Sequence, residues 1–196
     1  MKGASVLVIG SLLVAPSVCA AQSILWKSVG GWSVLMDPST GNGCYVTIAY
    51  EKGTTLRLGF DFSRQQRGIY LAFGNGNWKS LEPGKDYPIE IQFDRNPVWN
   101  ATAQAIDFGG VNFLSVFTTD VNFAEEFSRK LGMRATFNGR EVAALALKGS
   151  ALAVSEMLAC QEAVNAAAAA QNAPQPPKDP FGAAPDKRNA NDPFEL

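Results

Sequence analysis

Residues 44–62 read CYVTIAYEKGTTLRLGFDF. Cys44, Val46, Ile48 and Tyr50 alternate with Tyr45, Thr47 and Ala49. Leu56, Leu58, Phe60 and Phe62 alternate with Thr55, Arg57, Gly59 and Asp61. A period of two is that of a strand with one face in a core and one toward water. Lys52-Gly53, between the runs, supplies a hairpin turn. This stretch therefore sets the chain down as antiparallel β structure, and its neighbours extend it.

Upstream, Trp32 to Met36 is apolar apart from Ser33 and stops at Asp37-Pro38, with Gly41 and Gly43 following. Downstream, Ser63 to Gly68 is a polar loop, and Ile69, Leu71 and Phe73 mark the next strand. Gly74-Asn75-Gly76-Asn77 is rich in residues that tolerate positive φ and reads as a turn. After Pro83-Gly84, Ile89, Ile91 and Phe93 alternate with Glu90, Gln92 and Asp94. Ala101–Phe108 and Val111–Phe117 read as further strands.

The period changes after Asp120, a good N-cap, and 121–131 reads as a short helix closed by Gly132. Met133, Ala135 and Phe137 then alternate again. Asn138-Gly139 is a strong hairpin signal leading into Val142–Leu147. A last helix opens at Gly149-Ser150, with Ser150 as its cap. Ala153, Met157, Cys160 and Val164 fall on one face of it. The expected fold is mainly β: an antiparallel β-sandwich or barrel-like sheet with a short helix and a C-terminal helix.

Both ends differ from this middle. Lys2 precedes an apolar stretch from Val6 to Ala15, Pro16 breaks it, and Val18-Cys19-Ala20 offers a small-residue cleavage site before Ala21. That is the pattern of a secretory signal over residues 1–20, and it is too short for a membrane span. Lipidation at Cys19 would need a small residue immediately before it and an apolar one three before; Val18 and Pro16 stand there. Residues 171–196 hold Pro, Ala, Asn, Asp and Lys with little to bury, the composition of a disordered tail. Within it Asp179-Pro180-Phe181 recurs as Asp192-Pro193-Phe194. Residues 21–170 are left as one globular domain.

Loss of the signal leaves 16 basic and 18 acidic residues and two cysteines, Cys44 and Cys160. An even count in an oxidising compartment predicts one disulfide. It would tie the last helix to an early strand and stabilise the fold by about 4–5 kcal/mol in the chain-entropy model. The near-neutral balance gives no field for nucleic acid, and no stretch of the mature chain is long and apolar enough to be a transmembrane segment. The absence of histidine removes Ser-His-Asp and Cys-His pairs and every imidazole metal site.

The layout resembles the invasion-associated locus B family of exported bacterial proteins. The residues that carry this are Gly31-Trp32 near the mature start, Cys44 a dozen residues on, and a short helix before Gly132-Met133. At the end stand Leu147-Lys148-Gly149-Ser150, Ala153 and the closing Cys160. Gly31-Trp32 lacks the Asp that the family places between these two residues. The resemblance spans about residues 26–160 and implies an exported β-rich domain with a terminal helix. It carries no catalytic site across. Asn100-Ala101-Thr102 fits the N-glycosylation pattern, but the resemblance is to bacterial proteins and implies no use of it.

Candidate chemistry is sparse. Asp61, Glu90 and Asp94 fall on strands and Asp86 in a loop, but their positions are those of solvated strand faces. Nothing resembles a calcium loop, and the Gly74 turn lacks the residues of a phosphate loop. No cofactor is implied. Arg64 and Arg67, in the 63–68 loop, are candidate partner-binding residues, as are Phe181 and Phe194 in the repeats. Trp78 and Trp99 are candidate aromatic platforms for a sugar. The reading this supports is a non-enzymatic interaction protein, periplasmic or secreted, that binds an envelope protein or glycan. Two alternatives are an inhibitor of an envelope hydrolase such as lysozyme, plugging a cleft with Ser63–Gly68, and a carbohydrate-binding or carbohydrate-acting protein using the tryptophans.

Overall fold

The computed structural model describes residues 22–108 and 110–173. The signal reading with its Ala20/Ala21 junction, and Phe181 and Phe194 of the repeats, lie outside the described residues. The described residues form ten strands, two α-helices and a short 3-10 turn at Pro38–Thr40. The strands and α-helices are β1 (Ile24–Val29), β2 (Trp32–Asp37), β3 (Gly43–Ala49), β4 (Thr54–Asp61), β5 (Gly68–Asn75), β6 (Asp86–Phe93), β7 (Trp99–Phe108), β8 (Val111–Thr118), α1 (Val121–Arg129), β9 (Gly132–Phe137), β10 (Arg140–Ala146) and α2 (Ser150–Gln171).

All ten strands join one antiparallel sheet in the order β1-β2-β3-β4-β5-β8-β7-β6-β9-β10. The Tyr50 hydroxyl, just after β3, donates to Ala146 O at the end of β10. Those strands are third and last in the order, so the sheet curls back on itself. Its inner face carries Val34, Leu56, Leu58, Phe73, Ile91 and Phe93, all fully buried. α1 adds Phe123 and Phe127, whose rings meet Phe93 edge-on at 5.2 and 6.3 Å. α2 lies across β1–β3 and runs the same way as β2, since Trp32 Nε1 donates to Lys148 O and Cys44 N donates to Gln161 Oε1. Cys44 and Cys160 form the expected disulfide there.

A second, smaller cluster occupies the outer face, built on Tyr45, Tyr70, Ala72 and Phe113. The Arg57 guanidinium sits among the rings of Tyr45, Phe108 and Phe113, 4.7–5.6 Å from their centroids. Its Nε is buried without a hydrogen-bond partner. Two glycines stand opposite these aromatic residues on the neighbouring strand, Gly59 opposite Tyr45 and Gly74 opposite Phe113. A Cβ at Gly74 would stand 2.5 Å from both Asn112 O and the Phe113 ring, and one at Gly59 would collide with Tyr45 Cβ.

Several boundaries differ from the sequence expectation, each for a local reason. α1 stops at Arg129 with Lys130 as its cap, and Gly132 opens β9. Asp94 is not a strand residue. It turns the chain at φ 50°, and its carboxylate accepts from Leu131 N and Gly132 N, fixing the start of β9. Asp86 begins β6 instead of lying in the loop, and Gly74 and Asn75 belong to β5 instead of the turn. β4 ends at Asp61, so Phe62 leaves the strand and stacks on Phe60. The cap of α2 is Gly149 at φ 85°, not Ser150, whose hydroxyl donates to Ser128 O of α1. Gln171 still belongs to α2, so the tail expected from 171 cannot begin before the helix ends. No helix among the described residues is long and apolar enough to cross a membrane.

Candidate functional site

β10 is an edge strand. Leu147 N donates to Leu131 O, and residues 145 and 143 pair with 133 and 135 in step with it. The main-chain groups of Ala143 and Leu145 therefore turn to β9, and those of Ala144 and Ala146 turn away from it. Ala146 O is taken by Tyr50, at 2.6 Å. The outward groups of Ala144 have no strand beside them.

What lies across from this edge is the far end of the β3–β4 hairpin and the end of β5. Between them is a cleft of about 690 Å3, walled by Tyr50, Lys52, Thr54, Asn75 and Trp78 on one side and by residues 141–146 on the other. It is the seam along which the curled sheet fails to close. A second chamber of about 460 Å3 adjoins it and shares Trp78 and Val142. Its other walls include Leu81, Tyr87, Leu114 and Phe137.

The walls are held by polar contacts behind them. Asn75 is buried; its amide donates to Lys52 O and Thr54 Oγ1, each at 3.0 Å, and its carbonyl accepts from Asn77 N. One side chain thus ties the hairpin tip to the turn that carries Trp78. Asn112 donates to Trp78 O and Leu81 O and pins the following loop. The half-buried Trp78 ring meets Phe73 edge-on at 5.9 Å, and Tyr87 meets Phe137 at 5.6 Å. Burial pushes the Tyr50 hydroxyl up to about 12, so it keeps its proton and its bond to Ala146 across the neutral range.

The other residues singled out in the sequence stand elsewhere. Trp99 packs edge-on against Phe123 at 5.2 Å, and its Nε1 donates to Glu126 Oε2. Its neighbours are those of α1, away from Trp78. Arg64 is paired with Asp61 at 2.7 Å and lies over the Phe117 ring, and Arg67 lies over Phe62. Both arginines are thus drawn onto their own loop's surroundings. Burial pushes the Asp61 carboxyl up, but hydrogen bonds from Ser63 and Arg64 and the Arg64 charge outweigh it and hold the group below the usual range. Glu90 accepts from Thr136. The four carboxylates do not converge, and no group of three His, Cys, Asp or Glu among the described residues is placed to hold a metal ion.

The seam itself was not visible in the sequence. Its edge is an alanine-rich strand that looks like any other, and Tyr50 reads as the last core residue of its run. The one signal was Asn75 in the Gly74–Asn77 turn, a polar residue in a turn that also carries a tryptophan.

The architecture defines a class before it suggests a name: one curled antiparallel sheet with its C-terminal helix clipped by a disulfide to the third strand. No family model matches the chain, and no curated protein matches it in sequence. In fold it is similar to the crystal structure of invasion-associated protein B from Bartonella henselae. The TM-score is 0.51 at 10% identity, over 71% of this chain and 99% of that one. The distant resemblance read from Gly31-Trp32, Cys44 and the Leu147–Cys160 segment holds at the level of the fold.

Proposed function

We propose that this is an exported, non-enzymatic binding protein of the bacterial envelope, and that it takes an extended segment of a protein partner along the edge of β10. The observation that carries the reading is the seam. An uncovered edge strand, with the outward groups of Ala144 unpaired in the sheet and an aromatic chamber beside it, matches how sheets accept an added strand. Main-chain bonds to the edge would give affinity, and the Trp78–Phe137 chamber would choose a side chain. Export rests on the signal-like start of the sequence, and the likeness to invasion-associated protein B lends it support by analogy of fold alone. The scatter of the carboxylates and the absence of histidine favour binding over hydrolysis.

Ala144→Pro tests this directly. Its N–H does not serve β9, so the sheet tolerates proline there while the edge loses a donor. With an envelope protein captured by the full chain, hydrogen exchange should show new protection at 142–146 in the complex. Ala144→Pro should weaken that complex at least about tenfold, the effect of one or two lost hydrogen bonds. Equal binding by the variant, with no protection on β10, would remove the seam from consideration.

A further inference from the structure

The chamber beside Trp78 has a candidate occupant in the same chain. We propose that Asp192-Pro193-Phe194 folds back on its own domain, seating Phe194 in the chamber between Trp78, Leu81, Tyr87 and Phe137 and aligning its acidic flanks with Lys52 and Lys79. This rests on the reading of the seam as a binding site and names its first ligand.

Three observations select this segment. The first is shape and polarity. The chamber is walled mostly by aromatic and aliphatic side chains, with Asn77, Ser80 and Glu82 as its polar lining; its volume of about 460 Å3 admits a phenylalanine ring, and a proline beside that ring costs no main-chain donor. The second is charge. Lys79 follows Trp78 in the chain and Lys52 lines the same wall of the cleft, and neither is in an ion pair among the described residues. Of the acids nearby, Glu82 is engaged with Lys85 and Glu141 with Arg134, while Glu51 also lines the cleft beside Lys52. Phe194 lies between Asp192 and Glu195, whereas Phe181 follows Lys178-Asp179 and precedes Gly182. The second repeat is the more acidic.

The third observation is reach. α2 leaves the domain at the end of the sheet opposite the seam, since Gln161 touches Asn42 and Cys44 while Tyr50 and Ala146 mark the other end. From Gln161 the helix runs on to Gln171, about 15 Å further away. The way back also spans the length of β3, roughly 23 Å, so the path is on the order of 40 Å. Fully extended, the chain from Gln171 to Phe181 covers at most about 35 Å, and to Phe194 about 75 Å. Phe181 would need an almost fully stretched chain, and Phe194 arrives with slack.

The test places a photoreactive benzoylphenylalanine at position 194, or at 181, in the full chain, irradiated dilute and mapped by mass spectrometry. The 194 probe should attach within residues 78–87 or 137–142 of its own chain. Its yield should exceed that of the 181 probe about tenfold, because only a tether long enough for the span raises the local concentration. Leu81→Asp in the same probe-bearing chain should abolish the product. Attachment elsewhere, attachment only between two copies, or equal yield from both positions would overturn the proposal. Phe194→Ala should also raise capture of an envelope partner several-fold by freeing the chamber. Capture that depends on Ala144 but ignores Phe194 would sink this inference and leave the seam as a partner site. A mapped product with no effect of Ala144→Pro would do the reverse.

Discussion

The two ends of this sheet are finished in opposite ways. At β1–β3, α2 covers the inner face, the Cys44–Cys160 disulfide clips it, Gln161 binds Cys44 N and Asn42 O, and Trp32 reaches Lys148 O. Even the exposed Lys27 of β1 is tied to Glu156 at 2.6 Å. At β10, among the described residues, the cleft is bridged by one hydrogen bond, from Tyr50 to Ala146. The difference separates holding from receiving. The covalent and buried bonds are placed where nothing needs to enter, and the weak closure is placed where a strand could be admitted.

Breaking the clip should have the largest effect. Cys44→Ser and Cys160→Ser should each cost up to about 4–5 kcal/mol, and the double variant no more than either single one, because one bond is lost in all three. Thermal melts check this, and additive losses would mean unpaired thiols. Gln161→Leu should cost about 1–3 kcal/mol by leaving Cys44 N buried without an acceptor. If instead it melts with the wild type, the helix is held by the disulfide and packing alone.

Loosening the seam should matter less to stability and more to access. Tyr50→Phe should lower stability by about 1 kcal/mol or less while speeding hydrogen exchange along 142–146. It also has a pH signature. With the folded value at about 12 against 10.0, the unfolded chain ionises first, so stability falls as pH climbs between those values. Tyr50→Phe should remove part of that alkaline decline; an unchanged limb would mean that the latch is not closed in solution.

The smallest effect concerns Asp61. A carboxyl held below its unfolded value adds stability above that value and loses it as pH drops through the folded one. Asp61→Asn should therefore flatten the melting profile below about pH 4 and alter it little at neutrality. An acid limb of unchanged steepness would assign acid unfolding to other carboxylates.

The strands were legible because their burial is one-sided. Leu56 and Leu58, Ile89 to Phe93, and the Asn138-Gly139 hairpin all announce themselves through period and turn chemistry. Cys160 was placed toward the core by helical spacing alone. Boundaries escaped where a distant partner decides them, as Asp94 does for the Gly132 end of β9. The seam escaped for a deeper reason. Which strand becomes the edge depends on the order β8-β7-β6-β9-β10, and in it the pairing of β6 with β9 joins segments far apart in the chain. Trp78 stands out in the sequence as an aromatic, but its role as a wall shared by two cavities exists only once Val142 stands opposite.

Two glycines on the outer face limit how this sequence can drift. At Gly59 a methyl group would strike Tyr45 Cβ and crowd Cys44 O, and at Gly74 it would strike Asn112 O as well as the Phe113 ring. Main-chain atoms stand among the obstacles at both positions, so shrinking the facing side chain makes no room and only parting the strands would. Relatives whose sequences have otherwise diverged should keep glycine at both positions wherever the β3–β4 and β5–β8 pairings are kept.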